Sequence, residues 1–220
     1  MPRFNVHICL LAAMAVPLSQ VNAQADFHLL DIKSVDPTIV VELRYAGRNN
    51  LVGHSLYPLG TYAVARPEVA SGLAAAQAFL RRYQYRLKVW DAYRPPSVQL
   101  KLWQASHNND YVANPETGVG SLHSWGVAVD VTLIDSWSRP VPMPSDFDDF
   151  TPAAMWRYAG PDPEIRTHVH LLQMAMRNAG FLGLRTEWWH FTLADWKKYL
   201  PPDKVQAAVQ VFGTQWQGKL

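Results

Sequence analysis

The stretch VAVDVTLI (127–134) limits what this 220-residue chain can fold into more than any other segment. Its β-branched residues predict a strand, and period two puts Ala128, Asp130 and Thr132 on one face and Val127, Val129, Val131 and Leu133 on the other. An interior strand is therefore expected to carry a carboxylate, Asp130, on its less hydrophobic side. Burying such a group is costly unless it is paired or bound to metal. Just upstream, SLHSWG (121–126) places His123 seven residues before Asp130. In an unbroken strand that spacing sends the two side chains to opposite faces, so they converge only if the chain bends at Gly126. On these ten residues alone, a structural His–Asp hydrogen bond or unrelated turn groups are at least as good a reading as a metal site.

Around that strand, helices and strands interleave irregularly. Pro67 followed by Val69, Leu73, Ala76 and Leu80 predicts an amphipathic helix running to about Tyr83. RLKVWDAYR (86–94) predicts a strand stopped by Pro95 and Pro96, with a helix over 97–105 and an Asn/Gly/Pro-rich loop over 106–120. Residues 162–180 put Ile165, Val169, Leu172 and Met176 on one helical face, with Gly180 at the end, and EWWHFTL (187–193) returns to strand composition. No linker, repeat or low-complexity tract interrupts the chain after residue 26. The expected architecture is α+β, a single domain over 26–220 with a mainly antiparallel central sheet flanked by helices. At 49% hydrophobic residues the chain can bury one good core.

The first residues follow a different logic. Arg3, the apolar run ICLLAAMAVPL (8–18) and a small-residue site at Val21-Asn22-Ala23 or Ala23-Gln24-Ala25 predict a secretory signal over 1–25, cut near Ala23 or Ala25. An exported, periplasmic protein is expected. The apolar run is about half of the ~20 residues that span a bilayer, so no stable membrane insertion is expected after cleavage. The single cysteine, Cys9, falls in that leader without a lipobox, which excludes disulfides, thiolate nucleophiles and Cys-zinc sites from the mature protein. A formal charge of +2, with the basic residues scattered, gives no phosphate-tracking surface, and no nucleic-acid partner is expected. The serine-hydrolase patterns S-x-x-K, K-T-G and G-x-S-x-G are missing as well.

TEWWHF (186–191) supplies further chemistry, with Glu187 three residues before His190. Two neutral imidazoles and one carboxylate make a zinc set that leaves a fourth position for water. Zinc lowers the pKa of that water to roughly 7, and a nearby glutamate can take its proton. Glu187 fits that base. Taken singly, a surface ion pair for Glu187 and aromatic packing for His190 are the simpler readings. In WDAYRPP (90–96), Arg94 at a strand end backed by two prolines can steady oxyanion charge, the alternative being an ion pair with Asp91. His168 and His170, two apart on a helix, do not share a face and read as ordinary helix residues.

The patterns S-x-H-x-x-G-x-A-x-D, at Ser121, His123, Gly126, Ala128 and Asp130, and E-x-x-H, at Glu187 and His190, resemble the signatures of the D-alanyl-D-alanine dipeptidases. These are zinc metallopeptidases that include the vancomycin-resistance enzymes. The resemblance extends to LRYAGRNNLVG (43–53), WDAYRP, RPVPMPSDFDDF (139–150) and NAGF (178–181), in the family's order. It implies one zinc per chain on His123, Asp130 and His190 in a cleft over the sheet, with Glu187 as general base and Arg94 steadying the tetrahedral intermediate. It further implies a substrate pocket lined by Ser121, Tyr45, Tyr57 and Asp148, and hydrolysis of the D-alanyl-D-alanine dipeptide to D-alanine. Asp148 would pair with the substrate ammonium, although Asp146 and Asp149 lie beside it. Two other functions stay open: a metallo-carboxypeptidase trimming peptidoglycan stem peptides in a more open cleft, and a non-catalytic zinc-stabilised wall-binding module. The 139–150 segment favours the closed pocket, and a structural zinc site would need neither Glu187 nor Arg94. The oligomeric state is not legible in the sequence.

Overall fold

Proline sets where most of the helices begin, because its fixed φ suits the first helical turn and its missing N–H is no loss there. The computed structural model describes residues 27–106, 108, 111–213 and 215–217; the signal predicted over 1–25, with Cys9, lies outside the described residues. In chain order the elements are β1 (Leu30–Asp31), α1 (Ile32–Val35), β2 (Val40–Val41), β3 (Val64–Ala65), α2 (Pro67–Arg81), β4 (Tyr85–Asp91) and α3 (Pro96–Ser106). Then follow β5 (Ala128–Asp135), α4 (Pro163–Asn178), β6 (Phe181–Leu184), β7 (Glu187–Leu193), α5 (Pro202–Phe212) and β8 (Trp216–Gln217). Asp162 caps α4 by accepting from the backbone N–H groups of Glu164 and Ile165.

The main sheet has the order β2-β4-β5-β7-β6-β8, and β1 pairs with β3 in a separate two-stranded sheet. All neighbours in the main sheet run antiparallel except β2 and β4, so the predicted α+β architecture holds with a mixed sheet. Helices α2 and α4 pack against each other; α2 also contacts β4, and α4 contacts β5 and β6. The core joins Leu73, Ala76 and Leu80 of α2 and Leu172 and Met176 of α4 to Val129, Val131 and Leu133 of β5. Aromatic rings fill the space between the 139–150 segment and the sheet: Phe147 lies 5.3 Å from Tyr45, 5.5 Å from Trp90 and 5.8 Å from Trp189.

Strand β5 is interior, as expected, and its face with Ala128, Asp130 and Thr132 is as buried as the valine face. One sequence expectation is corrected. The strand predicted over 86–94 ends at Asp91, because beyond it the backbone turns to other partners: Tyr93 donates to the carbonyl of Val64 and Arg94 to that of His123. Among the described residues, no helix is long and apolar enough to cross a membrane.

Candidate metal and substrate site

His123 sits in a 3₁₀ turn, Leu122–Trp125, between two residues that shape it. Ser121 caps the turn by accepting from the His123 N–H at 3.2 Å. Gly126 ends it at φ +70°, a backbone conformation that favours glycine, and a Cβ there would also push Leu29 Cδ2, 2.8 Å away, aside. This bend brings His123 to the side of the sheet that Asp130 faces. Across the β5–β7 ladder, Asp130 is the direct partner of His190.

Two irregularities in the ladders complete the cluster. Between β4 and β5 the register shifts, with Val89 opposite Val131 but Asp91 opposite Asp130, so Trp90 is the extra residue and Asp91 meets Asp130 across the strands. Between β6 and β7, Gly183 pairs with Phe191 but Leu184 pairs with Glu187. That slip lets Glu187 and His190 line the same cleft although their spacing of three would put them on opposite faces of a regular strand.

His123 Nε2 lies 3.1 Å from His190 Nδ1, and Asp130 Oδ1 lies 3.4 Å from the former and 3.1 Å from the latter. Ligands held at 2.0–2.1 Å by a tetrahedral ion would stand about 3.3 Å apart, so the three donors fit zinc. The nitrogens facing away are occupied: His123 Nδ1 is 2.8 Å from the Ala92 carbonyl, and His190 Nε2 is 3.1 Å from Thr192 Oγ1. The Ala92 carbonyl can only accept, so His123 Nδ1 donates to it, and Nε2 is the nitrogen on the side of Asp130 and His190. Burial lowers the His190 pKa and favours the neutral imidazole. Burial alone would raise Asp130, but the two histidines hold it well below the usual carboxylate range. Neutral imidazoles and an ionised carboxylate are the protonation states a divalent cation requires. Among the described residues, these three form the only group of histidine and acidic side chains arranged to hold a metal.

Arg94 stands three residues past the end of β4, and all three nitrogens of its guanidinium make contacts. Nε donates to Asp91 Oδ2 at 2.8 Å, Nη1 to Gln99 Oε1 at 2.9 Å, and Nη2 reaches Asp91 Oδ2 at 2.7 Å and Asp130 Oδ2 at 3.4 Å. The Asp91 ion pair and the place in the cleft wall thus coexist. Tyr57 lies behind this group and does not line the cleft, as its hydroxyl donates to Asp91 Oδ1 at 2.5 Å.

The profile of the D-ala-D-ala dipeptidase family matches residues 25–209. The chain belongs to that family. It is 31% identical over 172 residues to the D-alanyl-D-alanine dipeptidase of Escherichia coli (strain K12), covering 78% of this chain and 88% of the relative. The enzyme of the same name from Enterococcus faecium is 28% identical over 176 residues, covering 70% and 85%. That of Synechocystis sp. is 29% identical over 106 residues, covering 43% and 40%.

In this dipeptidase-family chain the cleft encloses about 680 Å³, open solvent included, and Tyr45, Arg94, Ser121, His123, Asp130, Asp148, Glu187 and His190 all line it. Of the three neighbouring aspartates only Asp148 does so. Its Oδ1 accepts from the Tyr45 hydroxyl at 3.1 Å and its Oδ2 from the Leu51 N–H at 2.8 Å, and burial raises its pKa to about 7. Asp146 is exposed and pairs with Arg44 at 3.4 Å. Burial, reinforced by Asp130 and Asp148, pushes Glu187 well above the usual carboxylate value. His168 is a structural residue, between the Tyr85 hydroxyl at 3.1 Å and the Pro142 carbonyl at 2.8 Å, and His170 is exposed. Sequence reasoning did not single out Gln99, the partner of Arg94, or the cleft residues Tyr111, Phe150, Leu184, Phe212, Gln215 and Trp216, of which only Phe150 falls in a stretch that carried the resemblance. Asp91 was readable only as an ion-pair partner.

Proposed function

We propose that this protein is a zinc-dependent hydrolase of free D-alanyl-D-alanine, yielding two D-alanine molecules outside the cytoplasmic membrane. The observation that carries the reading is the closure of one cleft around three metal-type donors, a buried glutamate and a carboxylate suited to an ammonium. The names of the Escherichia coli and Enterococcus relatives support the substrate. Zinc on His123, Asp130 and His190 would supply a Lewis acid that polarises the scissile carbonyl and acidifies water. Glu187, raised by burial, takes the proton of the attacking water and returns it to the leaving amine. Arg94, which lines the cleft, steadies developing negative charge, and its contact with Asp130 holds that ligand in place. Tyr45 and the Leu51 N–H aim Asp148 at the substrate ammonium.

Asp148 also separates this reading from a carboxypeptidase acting on stem peptides, whose substrate has no free amine at that position. Asp148→Ala is expected to lower kcat/KM on the free dipeptide at least about tenfold, since losing one partner of a desolvated pair costs about 2–5 kcal/mol. N-acetylated dipeptide, a poor substrate for wild type, should lose much less. With a free-enzyme pKa of about 7, Asp148 is neutral below that pH and charged above it. Activity on the free dipeptide should therefore fall as pH drops through 7, and Asp148→Asn should lack that component. Equal cleavage of blocked and free dipeptides by wild type would favour the carboxypeptidase.

Export rests on the leader pattern, and the family match starts at residue 25, where that pattern ends. N-terminal sequencing of native protein is expected to read from Gln24 or Asp26. Retention of Met1 or Pro2 in a cytosolic fraction would contradict it.

A further inference from the structure

One flank of the cleft is built from the end of the chain, beyond the residues that the family profile matches. Strand β8 adds to the edge strand β6, with Leu184 opposite Trp216, and the Arg185 N–H donates to the Gln215 carbonyl at 2.8 Å. The Gln215 N–H in turn donates to the Phe212 carbonyl at 2.9 Å, closing the turn between α5 and β8. Phe212, Gln215 and Trp216 thereby reach the cleft that His123, Glu187 and His190 line. Behind them, Trp216 lies 6.0 Å from Phe212 and 6.1 Å from Trp196, and both cleft aromatics pack on a separate apolar cluster that includes Leu122, the neighbour of His123. A wall braced in this way resists displacement, which discrimination by size requires.

The placement of the lining residues about the sheet points to the part of a substrate that would meet this wall. The metal donors lie on and beside the central strands β5 and β7, and Asp148 is held by the Leu51 N–H and by Tyr45, whose ring lies 4.8 Å under the Arg94 guanidinium just past β4. The wall stands beyond β7, at the opposite edge of the sheet, where Trp216 on β8 pairs with β6 and Phe212 ends α5. A dipeptide with its amine at Asp148 and its carbonyl at the three donors therefore extends its second residue toward Phe212, Gln215 and Trp216. None of these side chains is charged.

From this arrangement we infer that Phe212, Gln215 and Trp216 form the pocket for the carboxyl-terminal residue of the dipeptide and restrict it to a small, uncharged side chain. The inference rests on the dipeptidase reading above. It is tested by kcat/KM for wild type, Trp216→Ala and Phe212→Ala on D-Ala-D-Ala, D-Ala-D-Phe and D-Phe-D-Ala. The ratio of D-Ala-D-Phe to D-Ala-D-Ala is expected to rise at least about tenfold in the variants, the scale of a pocket's response to altered volume, while the ratio for D-Phe-D-Ala stays at its wild-type value. Trp216→Leu, which keeps an apolar side chain on β8, serves if the alanine variant melts early, and the same change in ratio is expected. Wild-type ratios in folded variants, or a gain on D-Phe-D-Ala instead, overturn the assignment of the wall while leaving the dipeptidase reading standing. Failure of wild type on all three dipeptides removes both.

Discussion

Glu187→Ala is expected to retain the metal and the fold but to lose roughly 10²–10⁴-fold in kcat/KM on D-alanyl-D-alanine, the usual contribution of a positioned proton-transfer group. Glu187 is 8% exposed, and its Oε2 stands 3.8 Å from His190 Nδ1, further than the 3.1–3.4 Å that separate the three metal-type donors from one another. Its wild-type environment penalises the charged form through burial and two neighbouring carboxylates, so truncation also removes an unfavourable charge. The variant is therefore expected to melt no earlier than wild type. Metal analysis, a thermal melt and steady-state kinetics on one preparation check all three points. Loss of zinc together with activity would make Glu187 a ligand and break the assignment of roles.

Asp91→Ala is expected to have the largest effect on stability. Asp91 is wholly buried, accepts from Arg94 and from Tyr57, and lies 3.6 Å from His123 Nδ1. Its removal leaves the buried Arg94 guanidinium with its bond to the neutral Gln99 and, of its ion pairs, only the longer one to Asp130, a situation that costs about 3–5 kcal/mol. For a chain of this size that corresponds to a fall in Tm of roughly 6–20 °C. The double variant Asp91→Ala/Arg94→Met should recover much of the stability, because the uncompensated charge is gone, and none of the activity. A single variant that melts within a degree or two of wild type would show that the ion pair does not sustain this corner of the cleft.

How much of this could be read in advance depends on how local the cause was. Helices α2 and α4 and strands β5 and β7 announced themselves, because periodicity and β-branching act within each segment. The convergence of His123 with Asp130 was legible as a condition on Gly126, and the positive φ with the crowding by Leu29 meets that condition. Both ladder irregularities were invisible, since a register shift is decided by the partner strand. Arg94 was expected at a strand end because the strand was read up to Pro95, and Tyr57 in the pocket because the resemblance implied it, whereas the first lies past the strand and the second bonds Asp91. Strand β8 has two residues and forms only because β6 offers an open edge, so the Phe212 to Trp216 wall had no sequence signal to find.

The central claim is that His123, Asp130 and His190 hold a zinc ion on which hydrolysis depends. Metal content and D-alanyl-D-alanine hydrolysis, measured together for wild type, chelated and zinc-restored protein and for His123→Ala, test it most directly. The account predicts one zinc per chain in wild type, loss of activity on chelation with recovery on adding zinc, and neither bound zinc nor activity in His123→Ala. Full hydrolysis by wild type and His123→Ala alike, with substoichiometric metal in both, would contradict it.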